Sequence, residues 1–167
     1  MTFPDGSKIA TTIDTAAWKK SVHNQKLGCT DCHRNITDHP HPERRARTAH
    51  EYRVDAAETC KRCHYAYYTR ALDGIHYTQL RSGKINAPTC VDCHGAHDTP
   101  NPRQPRADIS RRCSRCHEKV YQRYVKSVHG HSVAGRTNDD VPVCTDCHGA
   151  HAIADPRQQR FHLSSHT

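Results

Sequence analysis

The sequence predicts a chain that is mostly irregular loop with a few short α-helices and no significant β-sheet, packed around something other than its own side chains. Three observations carry this. Leu, Ile, Val and Phe together supply only 22 of 167 residues, about 13%, below the level at which a charged chain ordinarily closes a core. Ten cysteines and sixteen histidines are a ligand supply that disordered tracts have no use for. A coarse reading places short helices around 15–23, 60–76 and 113–129, each carrying those ligands. At this length one domain is expected, 1–167, built from repeat units of about 18–64, 71–117 and 124–151.

The cysteines explain what fills the interior. All ten fall into five Cys-x-x-Cys-His motifs: Cys29/Cys32-His33, Cys60/Cys63-His64, Cys90/Cys93-His94, Cys113/Cys116-His117 and Cys144/Cys147-His148. Zinc also takes Cys-x-x-Cys, but a four-cysteine site uses two pairs, five is odd, and zinc gives no reason for a histidine after every pair. A disulfide framework or a thioredoxin-like redox motif fails on the same count. The motif is the attachment form of a c-type haem: two thiols add across the two vinyl groups of one porphyrin, and the adjacent histidine becomes the proximal iron ligand. Five covalently held haem c groups then replace the missing aliphatic residues.

The sixth coordination position separates electron transfer from catalysis. Met1 is the only methionine, so the second ligand must come from histidine. The segments "WKKSVHN" (18–24) and "YVKSVHG" (124–130) align, setting His129 on His23. Aligning Cys113 with Cys60 sets the same His129 on His76, and each of the three precedes a Cys-x-Asp-Cys-His motif. From His117 to His129 a helix would span about 18 Å, against about 4 Å between two ligands of one metal, so those two serve different haems. The repeat then assigns each distal histidine to the motif that follows it: His23 to the haem at Cys29, His76 to that at Cys90, His129 to that at Cys144. In "CHGAH", His97 and His151 lie three residues after their proximal partners, too close to reach around the same porphyrin. His97 is expected on the haem at Cys113. The first motif has "CHRNITDHPH" instead, leaving His39, His41 or His50 for the haem at Cys60, with His41 preferred.

His151 stands out. The flank "PRQPRADIS" before Cys113 matches "PRQQRFHLS" after His151, so the expected next motif falls at the last residue. Three readings stay open for this ligand without a motif: a vestigial residue, one that swaps into another role, or one that binds a haem of a neighbouring copy, head to tail. The formal charge of +8 is roughly cancelled by the ten or so propionates of five haems, and no nucleic-acid-binding pattern accompanies it. "ERRARTAH" could still form a patch for an acidic redox partner. No segment approaches a membrane span and no signal peptide is visible in the first twenty residues, although haem attachment of this kind takes place outside the cytoplasm. The sequence therefore reads as a mature form, or a piece of a longer one, located in the periplasm or outside the cell.

From [SG]-[VI]-His followed by Cys-x-x-Cys-His, over about residues 18–151, the chain resembles the multihaem cytochrome c superfamily. Within it the likeness extends to small periplasmic pentahaem electron donors, decahaem conduits and cytochromes that polymerise into filaments. The resemblance implies bis-histidine haems, electron transfer rather than catalysis, and other redox proteins or copies of the same chain as partners. Pentahaem nitrite reductases use a Cys-x-x-Cys-Lys haem, which is absent here.

Overall fold

The computed structural model describes residues 1–34, 36, 43, 45–135 and 140–157. Within them the fold is as predicted in kind: short helices joined by loops, and no strand beyond one isolated antiparallel bridge between Thr2 and Lys8. The helices are α1 (Thr15–Lys20), α2 (Cys29–Cys32), α3 (Ala49–Cys60), α4 (Tyr65–Leu72), α5 (Ile75–Arg81), α6 (Cys90–His94), α7 (Arg106–Val125), α8 (Val128–Ala134) and α9 (Cys144–His148).

Two of the three expected helices are broken. The stretch 60–76 divides into the end of α3, α4 and α5, because Gly74 interrupts it and begins α5 as an extended cap. The stretch 113–129 lies inside α7, whose backbone leaves helical geometry at His117 (φ −109°, ψ 42°), and then turns into α8 at the Ser127 cap. Helix α3 has a start signal in "TAHE": the Thr48 side chain accepts from the Glu51 N–H, and Glu51 reaches back to the Arg47 N–H at 2.6 Å, a variant of the capping box.

The chain forms two compact units, each discontinuous in sequence: unit 1 is Met1–Tyr68 with Gly83–Pro100, unit 2 is Thr69–Ser82 with Asn101–Thr167. In unit 1, α3 packs on α6; in unit 2, α7 packs on α8 and α9. The buried apolar residues among those described are Phe3, Ala49, Ala87, Ala107, Val133 and Val143. Among the described residues one cluster forms, Ala107, Val133 and Val143 in unit 2, flanked by Ile109 and Val141. A core of alanines and valines excludes little water, in line with the shortage of large aliphatic residues in the sequence.

Candidate haem sites

The five Cys-x-x-Cys-His motifs take two local forms, and the residue before the second cysteine decides which. In three it is aspartate, and the motif is a helix of one turn that caps itself. Asp31 Oδ2 accepts from the Gly28 N–H, Asp92 Oδ2 from the Thr89 N–H and hydroxyl, and Asp146 Oδ2 from the Val143 N–H, all at 2.7 Å. In the other two it is arginine, and the motif rides on a longer helix: Cys60 ends α3 and Cys113 lies inside α7. There the preceding turn already accepts the N–H groups, so no side-chain cap is needed. After His94 and His148 the chain turns through Gly95 and Gly149 at φ +73° and +70°, a region side chains rarely adopt. This is the role of the glycine in "CHGAH".

The two cysteines of a motif are not equivalent, although the sequence treats them alike. The second one is exposed in every motif: Cys32, Cys63, Cys93, Cys116 and Cys147. Among the first ones, Cys60, Cys113 and Cys144 are half-buried, while Cys29 and Cys90 are exposed. No disulfide joins any of the ten. Cys32, Cys63, Cys93, Cys116 and Cys147 are thus reachable by a vinyl group from the solvent side.

Three proximal histidines face a second histidine. His33 and His97 approach Nε2 to Nε2 at 3.5 Å, with ring centroids 5.8 Å apart and planes within 26°. His64 faces His23 at 6.1 Å, and His117 faces His76 at 6.1 Å with planes within 27°. Two imidazoles bound on opposite sides of one metal put their nitrogens about 4 Å apart, from metal–nitrogen distances near 2.0 Å. The His33–His97 nitrogens come close to that separation, so this pair can hold a single ion between its rings, and the other two pairs have similar centroid separations. Among the described residues no group of three or more His, Cys, Asp or Glu gathers as a metal cage.

These pairings correct the expected ones. His23 faces the proximal ligand of Cys60, not of Cys29; His97 that of Cys29, not of Cys113; His76 that of Cys113, not of Cys90. Assigning each distal histidine to the next motif assumed that neighbours in sequence pair in space. The connections from His23, His76 and His129 to the next motif vary in length, whereas His23 to His64 and His76 to His117 are both 41 residues. The constant spacing marked the structural unit. His41 and His39 lie outside the described residues; His50 is half-buried on α3. His129 is exposed on α8 and faces none of the proximal histidines among the described residues. His94 ends α6, His148 ends α9, and His151 is half-buried after α9.

Electrostatics favours a neutral imidazole at one ring of each facing pair. Burial, then the partner ring, holds His33 and His76 below the ordinary histidine range; His23 is lowered by burial, then His64 and Lys26. His151 is lowered by burial and Arg70. A neutral ring is the form that binds metal. The first cysteines of neighbouring motifs also meet. The Cys60 thiol is raised well above its usual range by its hydrogen bond with Cys90, which is lowered to about 7. Cys144 is held down to about 6 by Cys113, against the effect of burial.

Several supporting groups were not apparent in the sequence. Arg53 pairs with Asp92 at 3.4 Å, and Arg106 with Asp146 at 2.6 Å. The Ser110 hydroxyl accepts from the Cys144 N–H at 3.2 Å and is fully buried. Val22 N–H donates to Thr99 C=O at 2.9 Å, and Ile75 N–H to Ile153 C=O at 2.8 Å.

Among protein families, the chain matches the doubled CXXCH motif over residues 83–122, the segment holding the motifs at Cys90 and Cys113. The match supports a multihaem c-type cytochrome-like family, with covalent haem c binding and electron transfer in general. No curated protein and no solved structure matches the chain. Among the described residues no helix is long and apolar enough to cross a membrane.

Proposed function

We propose that the chain is an electron-transfer protein carrying five haem c groups, one on each Cys-x-x-Cys-His motif, with His33, His64, His94, His117 and His148 as proximal ligands. The thioether pairs are Cys29 with Cys32, Cys60 with Cys63, Cys90 with Cys93, Cys113 with Cys116 and Cys144 with Cys147. His97, His23 and His76 are the distal ligands at Cys29, Cys60 and Cys113. The observation that carries the reading is the three facing pairs, each made of one motif histidine and one histidine from elsewhere, at a separation that fits one iron.

When bound, haem supplies a one-electron couple whose potential depends on its axial ligands and surroundings. The chain's residues do the rest. The cysteines fix each ring's position, and the Asp and Arg forms of the motif set its direction. The paired histidines would hold an iron from both sides, which would leave it no open site for a substrate; this favours a carrier over a reductase. The thiol contacts Cys60–Cys90 and Cys113–Cys144 bring the attachment edges of neighbouring haems together, the arrangement that short electron steps need. The protein acts outside the cytoplasm, in the periplasm or extracellularly, and exchanges electrons with other redox proteins.

The test is a pyridine haemochrome count with electron paramagnetic resonance on the purified protein. Five covalent haems, low-spin at the three paired sites, are expected. A count below five, or a high-spin centre persisting at Cys29, Cys60 or Cys113, overturns the assignment.

A further inference from the structure

The two units repeat the same arrangement with an offset of 53 or 54 residues. The facing pair His23–His64 becomes His76–His117, and the ion pair Arg53–Asp92 becomes Arg106–Asp146. The thiol contact Cys60–Cys90 becomes Cys113–Cys144. The backbone bond Val22 N–H to Thr99 C=O becomes Ile75 N–H to Ile153 C=O. This last bond matters most. In each unit it ties the residue before the distal histidine to the residue two places after the second histidine of "CHGAH".

In unit 1 that second histidine is His97, and its ring faces a proximal histidine. In unit 2 the same tie fixes His151. Its segment is held closely: Gly74 is buried, and a Cβ there would lie 2.5 Å from the His151 carbonyl oxygen. A segment pinned by a backbone bond and packed on a glycine is a built position, and the His151 ring is half-buried there like that of His97.

We propose that His151 is an axial iron ligand within its own chain, the counterpart of His97, and not a spare imidazole offered to a neighbouring molecule. It lies three residues from His148 and so serves a different iron from that one. The inference rests on the haem reading above and adds a fourth distal ligand to the three facing pairs. It also removes the main ground for head-to-tail assembly through this residue.

The experiment compares wild type, His151→Ala, His151→Met and His131→Ala as holoproteins, by haemochrome count, electron paramagnetic resonance and redox titration. His151→Ala is expected to keep all its haem while about a fifth of it turns high-spin, and added imidazole restores the low-spin signal. His131, exposed on α8, is expected to change nothing. His151→Met keeps a ligand and is expected to raise one haem potential, since a thioether favours ferrous iron; it serves if the alanine variant does not accumulate. A spin state and potentials unchanged in both His151 variants overturn the proposal. A wild-type low-spin signal at this site that is lost on dilution also overturns it, by assigning His151 to a neighbouring molecule. A wild type without covalent haem would instead remove the haem reading itself, so the two failures are distinguishable.

Discussion

Units 1 and 2 use the same parts at the same offset but support them differently. Unit 2 has a small side-chain core: Val143, 2% exposed, packs with Ala107 and Val133. In unit 1 the residue equivalent to Val143 is Thr89, whose hydroxyl donates to Asp92 at 2.7 Å, and the buried residues Phe3, Ala49 and Ala87 form no comparable cluster. Among the described residues, however, unit 1 has two facing histidine pairs and unit 2 one. Unit 1 therefore depends more on its ligands and unit 2 keeps a modest apolar reserve. The lesson is that metal ligation and apolar packing substitute for one another along a single repeat.

The largest expected effect comes from removing the haems. Ordering each residue costs about 1–2 kcal/mol of backbone entropy, and a handful of alanines and valines cannot offset that over 167 residues. With all ten cysteines changed to serine, neither unit is expected to show a cooperative thermal transition by circular dichroism. A residual transition reporting on α7–α9 would sharpen the comparison in favour of the unit 2 core; one in unit 1 would break it.

Next in size is the loss of one ligand. His97→Ala in unit 1 and His76→Ala in unit 2 should each convert one haem, at Cys29 and at Cys113 respectively, from low-spin to high-spin. Unit 1 should lose more thermal stability, having less packing to fall back on. His23→Met should raise the potential of the haem at Cys60. A change confined to the haem at Cys29, read by spectroelectrochemistry, would mean that histidines pair with the next motif in sequence after all.

That outcome bears on how much could be read beforehand. The five attachment motifs, the scarcity of core residues and the short ligand-bearing helices were legible because each is a local pattern. The facing pairs in the structure differ from the expected ones, since pairing is a long-range property and local order suggested the nearest motif. The usable signal was the constant 41-residue spacing of His23–His64 and His76–His117. The unequal exposure of the two thiols, Cys60 against Cys63 or Cys144 against Cys147, was hidden for the same reason: it depends on which helix face meets the rest of the unit. The aspartate of Cys-x-Asp-Cys-His was visible as a repeat, but its capping role emerges only when the helix is known to be one turn long. Helix α3 was missed although "TAHE" announces it, because its apolar residues are too few to show a periodic face.

Smaller effects follow from the exchanged position. Val143→Thr places a hydroxyl in the only apolar cluster among the described residues and should cost unit 2 about 1–2 kcal/mol. Thr89→Val removes a hydrogen bond to Asp92 but keeps the Thr89 N–H bond to the same oxygen, and should cost less than about 1 kcal/mol. Thermal melts of the holoproteins separate the two; equal costs would show that the units are supported alike.

The smallest effect concerns the repeated ion pairs. Arg106 Nη2 lies 2.6 Å from Asp146 and also donates to the Val141 carbonyl at 3.3 Å, with both side chains about a third exposed. Arg53 reaches Asp92 only at 3.4 Å, and its side chain is 45% exposed. Exposed pairs contribute between nothing and about 1 kcal/mol, so a double-mutant cycle with Arg→Ala and Asp→Asn should give about 0.5–1 kcal/mol in unit 2 and nearly zero in unit 1. Each aspartate also caps its motif, so its single substitution costs about 1 kcal/mol more in both units; the cycle cancels that shared cost and isolates the pair. Because both pairs are solvated, raising salt from 0.05 to about 0.5 M should shrink the unit 2 coupling. Coupling that is equal in the two units would mean the pair is part of the repeat's framework; coupling in unit 2 alone would tie it to the packed core that unit 1 lacks.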